Sequence, residues 1–96
     1  DGATPVPVSM GTVRSRSVDT GGCVVSDLWF GARHVLPRHT HARPVFAVVL
    51  RGGLSTAIAG RRFECTTATA WTEPPEESHA NRVGSAVSRV LVLEPD

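Results

Sequence analysis

The sequence predicts an all-β domain, a small antiparallel sandwich or barrel with little or no helix. Three observations lead there. Short apolar, β-branched segments recur at close intervals between Gly, Pro, Thr and Ser. Several alternate with a period of two, and no window carries the 3.6-residue period of an amphipathic helix. A chain of 96 residues makes one domain, and closing its sheet into a barrel would remove exposed strand edges.

Residues 1–9, with Pro5 and Pro7, cannot be helical and read as an extended N-terminal arm that frays or pairs with a sheet edge. Residues 10–96 form the β-domain. Its first strand runs from Met10 to Val18 and ends at the turn Asp19-Thr20-Gly21-Gly22. Cys23 to Phe30 is β-branched and aromatic, too short between breakers to be a helix. Gly31 leads through Arg33-His34-Val35-Leu36 to a Pro-flanked segment. Val45 to Leu50 is a continuous apolar run and reads as the most buried strand, turned by Gly52-Gly53. Leu54 to Ala59 alternates, and Gly60-Arg61 is a two-residue hairpin candidate of the Gly-X kind before the strand Arg62 to Thr66. Ala68 to Thr72 is a short strand stopped by Pro74-Pro75. Ser78 to Arg82 enters a strand or loop, and Val87 to Leu93 alternates again after Gly84-Ser85.

Charge excludes some partners. Ten Arg, no Lys and nine acidic residues leave a formal net charge of +1. That gives no electrostatic case for nucleic acid or an anionic membrane as a direct partner of this chain. No apolar run approaches a membrane span and no signal peptide is visible, so a cytoplasmic location is expected. Cys23 and Cys65 lie far apart, without the close pairing of a structural zinc site, and read as reduced thiols. The chain has neither a Gly-x-Ser-x-Gly elbow nor a phosphate loop, which leaves nucleophilic catalysis and nucleotide hydrolysis without support.

The chemistry concentrates in Pro37-Arg38-His39-Thr40-His41-Ala42-Arg43-Pro44. In an extended backbone, side chains two apart face the same way, so His39 and His41 would present both imidazoles on one side as a chelate. His79 follows Glu73-Pro74-Pro75-Glu76-Glu77-Ser78 in the second half of the chain. If the fold returns it to the pair, three neutral nitrogen donors would hold one divalent transition metal, Zn²⁺ first, with Ni²⁺, Fe²⁺ and Mn²⁺ as alternatives. The competing reading is polar lining without metal.

These residues resemble the two sequence motifs of the cupins, small jelly-roll (double-stranded β-helix) barrels. In the first motif a glycine and then five residues precede His-x-His, a glutamate follows after three or four residues, and a glycine after six more. In the second, glycine, five residues, Pro-x-Gly and two residues precede a histidine, with asparagine after three more. His39 and His41 match the histidine pair, Gly52 or Gly53 the closing glycine, and Pro74 and His79 the second motif. Arg33, Ala68 and Glu76 stand where the motifs have glycine. Val45 or Phe46 stands where they have glutamate, and Asn81 comes two residues early.

Leu36 to Gly52 and Glu73 to Arg82 are similar in wording to the N-terminal sensor domain of AraC-type transcription regulators. That resemblance implies a cupin barrel that binds a small molecule or mediates homodimerisation, with DNA binding left to a separate helix-turn-helix domain. The ligand would meet His39, His41, His79, Phe46 and Trp71, and no catalytic residue is assigned. An enzyme is the less favoured alternative, a metal-dependent dioxygenase or isomerase on the same three histidines. Glu73, Glu76 and Glu77 are candidates for the missing carboxylate, although a Pro-rich loop usually leaves such charge solvated. His34 reads as a surface or edge residue.

Overall fold

The computed structural model describes residues 14–95. The N-terminal arm and the expected start of the first strand lie outside the described residues. Nine strands follow in order: β1 (Arg14–Asp19), β2 (Cys23–Phe30), β3 (Val35–His39), β4 (Val45–Arg51), β5 (Gly53–Ile58), β6 (Arg61–Thr66), β7 (Ala70–Glu73), β8 (His79–Val83) and β9 (Ser88–Pro95). Among the described residues there is no helix, hence none long and apolar enough to cross a membrane.

The strands form two antiparallel sheets, ordered β1-β2-β9-β4-β7 and β3-β8-β5-β6. From β2 onward the chain passes back and forth between them, except at the β5–β6 hairpin, as a jelly roll requires. The expected closure does not occur: among the described residues no ladder joins the sheets, and β1, β7, β3 and β6 are edges. Other devices protect these edges. β1 and β6 are mostly exposed and carry Arg14, Arg16, Arg61, Arg62 and Glu64; β7 has four residues; β3 contains Pro37. Charge, shortness and proline each oppose further strand pairing.

The core fills the space between the sheets. Leu28, Phe30, Val45, Ala47, Val49, Val90 and Val92 come from one inner face, and Leu36, Leu54, Cys65 and Val83 from the other. Continuous hydrophobicity misleads at β4. Val45, Ala47 and Val49 are buried, but Phe46 and Leu50 are 44% and 41% exposed. The strand has one inner and one outer face, so its apolar run does not make it the most buried. β9 alternates more evenly, with Ser88, Val90, Val92 and Glu94 buried in turn.

The β5–β6 hairpin also differs from expectation. Ile58 pairs with Arg61, so the turn residues are Ala59 and Gly60, with φ of 53° and 73°. Two positive φ values identify a type I′ turn, which matches strand twist, rather than a Gly-X turn on Gly60-Arg61. Positive φ also occurs at Arg33 (63°), Ala68 (73°) and Glu76 (65°). These are the positions where the resemblance calls for glycine. The backbone keeps the glycine conformation although the side chains have changed, at a cost of roughly 1–2 kcal/mol each.

Candidate functional site: three histidines beside a buried glutamate

One end of the sandwich gathers His39, His41 and His79. Each owes its position to a different feature. β8 delivers His79 inward because it alternates His79, Asn81 and Val83 as buried residues. β3 requires a correction. Val35 and Leu36 pair with Arg82 and Asn81, and then the register shifts so that His39 pairs with His79. The extra residue is a β-bulge that turns His39 to the face of Leu36, which lies three positions earlier. Without the bulge, Arg38 would point inward. His41 follows β3, where the Glu76 N–H donates to its carbonyl at 2.8 Å and ties the two Pro-rich segments together.

The three imidazoles offer ligand nitrogens all within 4.8 Å of one another. Ring centroids are 5.0 Å apart for His39–His41, 4.2 Å for His39–His79 and 5.2 Å for His41–His79. His39 Nδ1 lies 2.6 Å from the Pro37 carbonyl and His79 Nδ1 lies 3.2 Å from that of Glu77. A carbonyl only accepts, so both Nδ1 atoms donate and both Nε2 atoms are turned toward the centre. His39 Nε2 is buried, with no hydrogen-bond partner among the described residues. Burial, the largest influence on His39, lowers its pKa despite the Pro37 bond and favours the neutral, donating form.

Glu73 is the residue that the loop reading misplaced. It ends β7, is 5% exposed, and sets Oε1 3.1 Å from His79 Nε2 and 3.9 Å from His41 Nε2. The Trp71 indole N–H donates to Oε2 at 3.0 Å. Burial opposes charge on Glu73, but the bonds from His79 and Trp71 outweigh it and lower its pKa. Burial likewise works against a charged His79, and Glu73 overcomes it, so the His79 pKa is raised.

The register explains why Glu73 is there. Val45, at one of the two positions where the cupin motif has glutamate, pairs directly with Glu73 across β4 and β7. A carboxylate thus projects from the neighbouring strand on the same inner row. Glu76 is exposed and Glu77 only half-buried; Glu77 meets the imidazoles through its backbone carbonyl, which accepts from His79 Nδ1.

Glu94 escaped the sequence reading. It is 2% exposed, and its Oε2 has no hydrogen-bond partner among the described residues. Burial raises its pKa; Arg43 pulls the other way, and Glu73 adds to the rise. Its signal was the phase of Ser88, Val90 and Val92, which extended by two residues puts Glu94 inside. His34 is buried rather than at the surface, stacked on Phe30 with ring centroids 5.5 Å apart.

Beside the histidines lies a cavity of about 30 Å³, bordered by His39, Glu73, His79, Asn81, Trp71 and apolar core residues. Trp71 is half-buried and lines it. Phe46 does not: it points outward while Val45 and Ala47 line the cavity. Cys65 is buried, Cys23 half-buried, and both thiols are free.

The orphaned His39 Nε2 and the two pinned Nδ1 atoms fit a divalent transition metal, which His39, His41 and His79 would hold, with Glu73 as the nearest carboxylate. Such an ion would supply a Lewis acid.

No protein-family sequence profile matches this chain, and no curated protein matches it in sequence. Solved structures do. A cupin superfamily protein from Desulfitobacterium hafniense DCB-2 superposes with a TM-score of 0.80 at 12% identity, over 94% of this chain and 83% of that one. The cupin_2 domain of an XRE family transcriptional regulator from Enterobacter cloacae gives 0.75 at 14% identity, over 88% and 96%. The polyketide cyclase RemF from Streptomyces resistomycificus gives 0.76 at 25% identity, over 86% of this chain and 64% of that one. The fold is that of the cupins, carried here as two unclosed sheets.

Proposed function

We propose that this chain is a ligand-sensing cupin domain, the sensor part of an AraC-type transcription regulator, built around a centre that holds one divalent ion. The observation that carries the centre is the convergence of His39, His41 and His79, with His39 Nε2 buried and unpartnered. Cavity size favours sensing over turnover. About 30 Å³ accommodates an ion and a water or two, whereas sites for drug-sized ligands have about 300–1,000 Å³. Any larger ligand must displace part of the fold. Its affinity then depends on conformation, which is what lets a ligand shift a regulator between states. The wording around both histidine segments supports the AraC type, and the DNA-binding domain would be a separate part of the intact protein.

A homodimer belongs to the same proposal. Val18 and Phe46, 60% and 44% exposed, leave apolar surface on the outer side of the five-stranded sheet for a second copy. Light scattering on the chain and on Phe46→Glu tests this. A dimer that Phe46→Glu turns into a monomer supports it, and a monomeric parent removes it.

RemF favours a second reading. Its 25% identity over most of this chain supports a metal-dependent enzyme acting on a carbonyl- or enol-bearing substrate. Zinc titration against a chromophoric chelator tests the centre common to both readings. One-to-one uptake that disappears in His39→Ala and His41→Ala is the expected result. A stably folded chain that takes up no divalent ion would overturn the centre. A ligand screen by thermal shift, followed by reporter assays of the intact regulator with His41→Ala, tests the sensor. An unchanged response in that variant would exclude it.

A further inference from the structure

The sheets fail to close between β6 and β7, each the edge of its own sheet. A groove of about 260 Å³ lies along that seam, lined by Thr56, Ile58, Phe63, Cys65, Trp71 and Thr72. Trp71 also lines the small cavity that His39 and His79 border. One half-buried indole therefore forms a wall of both spaces.

That wall is fastened to the centre. The Trp71 N–H donates to Glu73 Oε2 at 3.0 Å, and Glu73 Oε1 lies 3.1 Å from His79 Nε2. An ion that takes His79 Nε2 displaces its proton and removes that donor from Glu73, so the carboxylate that holds the indole also responds to the state of the centre. Trp71 sits on a four-residue edge strand that, among the described residues, pairs with β4 alone. Short edge strands are among the parts of a sheet that open at least cost.

We propose that the seam groove and the histidine cavity are two halves of one binding site, with Trp71 as the gate between them. The ligand class follows from the two halves. An oxygen-donor head, carboxylate or enolate, faces the histidines. A flat apolar ring system lies between Phe63 and Trp71, where ring faces and the Ile58 and Cys65 side chains offer apolar contact. This inference rests on the ligand-binding reading above and adds the route of entry, the shape of the ligand and the residue that moves.

The probe is 2-naphthoate, followed by its fluorescence anisotropy on the full chain, metal-free and zinc-loaded. Zinc uptake is measured separately by chelator competition. Phe63→Ala, at an exposed position, should weaken naphthoate binding at least fivefold and leave zinc uptake unchanged. Trp71→Phe keeps an apolar wall but lacks the bond to Glu73; it should speed naphthoate association severalfold. No naphthoate binding, no effect of Phe63→Ala, or an unchanged association rate in Trp71→Phe would each overturn the gate. Zinc uptake without naphthoate binding would leave the metal centre standing alone. A naphthoate response with both variant effects but no zinc uptake would support the gate and remove the metal.

Discussion

The two ends of the sandwich solve the same problem in opposite ways. At the histidine end, polar groups are buried among one another: Glu73 between His79 and Trp71, His39 Nε2 with no partner, Glu94 Oε2 with none. At the far end, buried polar groups are satisfied by backbone. Ser88, fully buried, accepts from Gly53 N–H at 3.0 Å and donates to the Gly53 carbonyl at 2.8 Å. Gly84 N–H meets the same carbonyl at 3.1 Å, and Val83 N–H meets that of His34 at 2.8 Å. A buried polar group left without a partner costs about 1–3 kcal/mol. The far end is arranged as a clamp, and the histidine end carries the cost that binding can recover.

Breaking the clamp should give the largest effect. Gly52 has φ of 75°, and a Cβ there would collide with the Val87 carbonyl and stand 2.6 Å from Ser88 Oγ. Gly52→Ala is expected to destabilise by about 3 kcal/mol or more, from left-handed strain plus overlap with backbone that cannot move aside. Urea denaturation measures it. A cost below that of ordinary surface substitutions would mean that this end is looser than its hydrogen bonds indicate.

The next test sharpens the other side. Glu73→Val should weaken zinc binding by roughly 10–100-fold, the range for losing a group that supports a metal site. Adding Val45→Glu returns a carboxylate to the same inner row from the adjacent strand, and most of the affinity should return. Chelator competition on the single and double variants reads both. If the double variant binds no better than the single, the position of the carboxylate matters and the register argument fails.

A smaller effect has the opposite sign. Ala68→Gly relieves a φ of 73° and should stabilise by about 1 kcal/mol. Thermal unfolding would show the rise, and a fall would mean that the Ala68 methyl makes a contact worth more than the strain. The smallest effect lies on the outer surface. Arg89 holds Asp27 through bonds of 2.8 and 2.7 Å, and the hydrogen bond to Arg89 lowers the Asp27 pKa. A lowered carboxyl stabilises the fold above its unfolded pKa of about 3.9, and the contribution fades as pH falls through the folded value. Because the pair is partly exposed, Asp27→Asn should cost under about 1 kcal/mol near neutral pH. Wild type and variant should converge in acid; a gap that persists at low pH would assign the cost to something other than this pair.

Much of this could be read from the residues. Strand-length apolar runs between breakers located eight elements of the described domain closely, and β2 to the residue. The pairing of His39 with His41 was visible in spacing, and the motif resemblance implied that His79 joins them. Phe46 was not, because an unbroken apolar run hides which of its residues face inward. Glu73 was read as solvated loop charge because its inner-row partner, Val45, lies across a strand pair.

The sequence by itself determined the all-β class, eight of the nine described strands and the His39–His41 pair, since these depend on local alternation, turn residues and short-range spacing. Tertiary structure decided the rest. The bulge that aims His39 is a mismatch between two strands. The Val45–Glu73 row depends on register between β4 and β7. The open seam depends on which edges fail to pair. Each is a relation between segments far apart in the chain, and hydrogen bonds and close packing across that distance fix it.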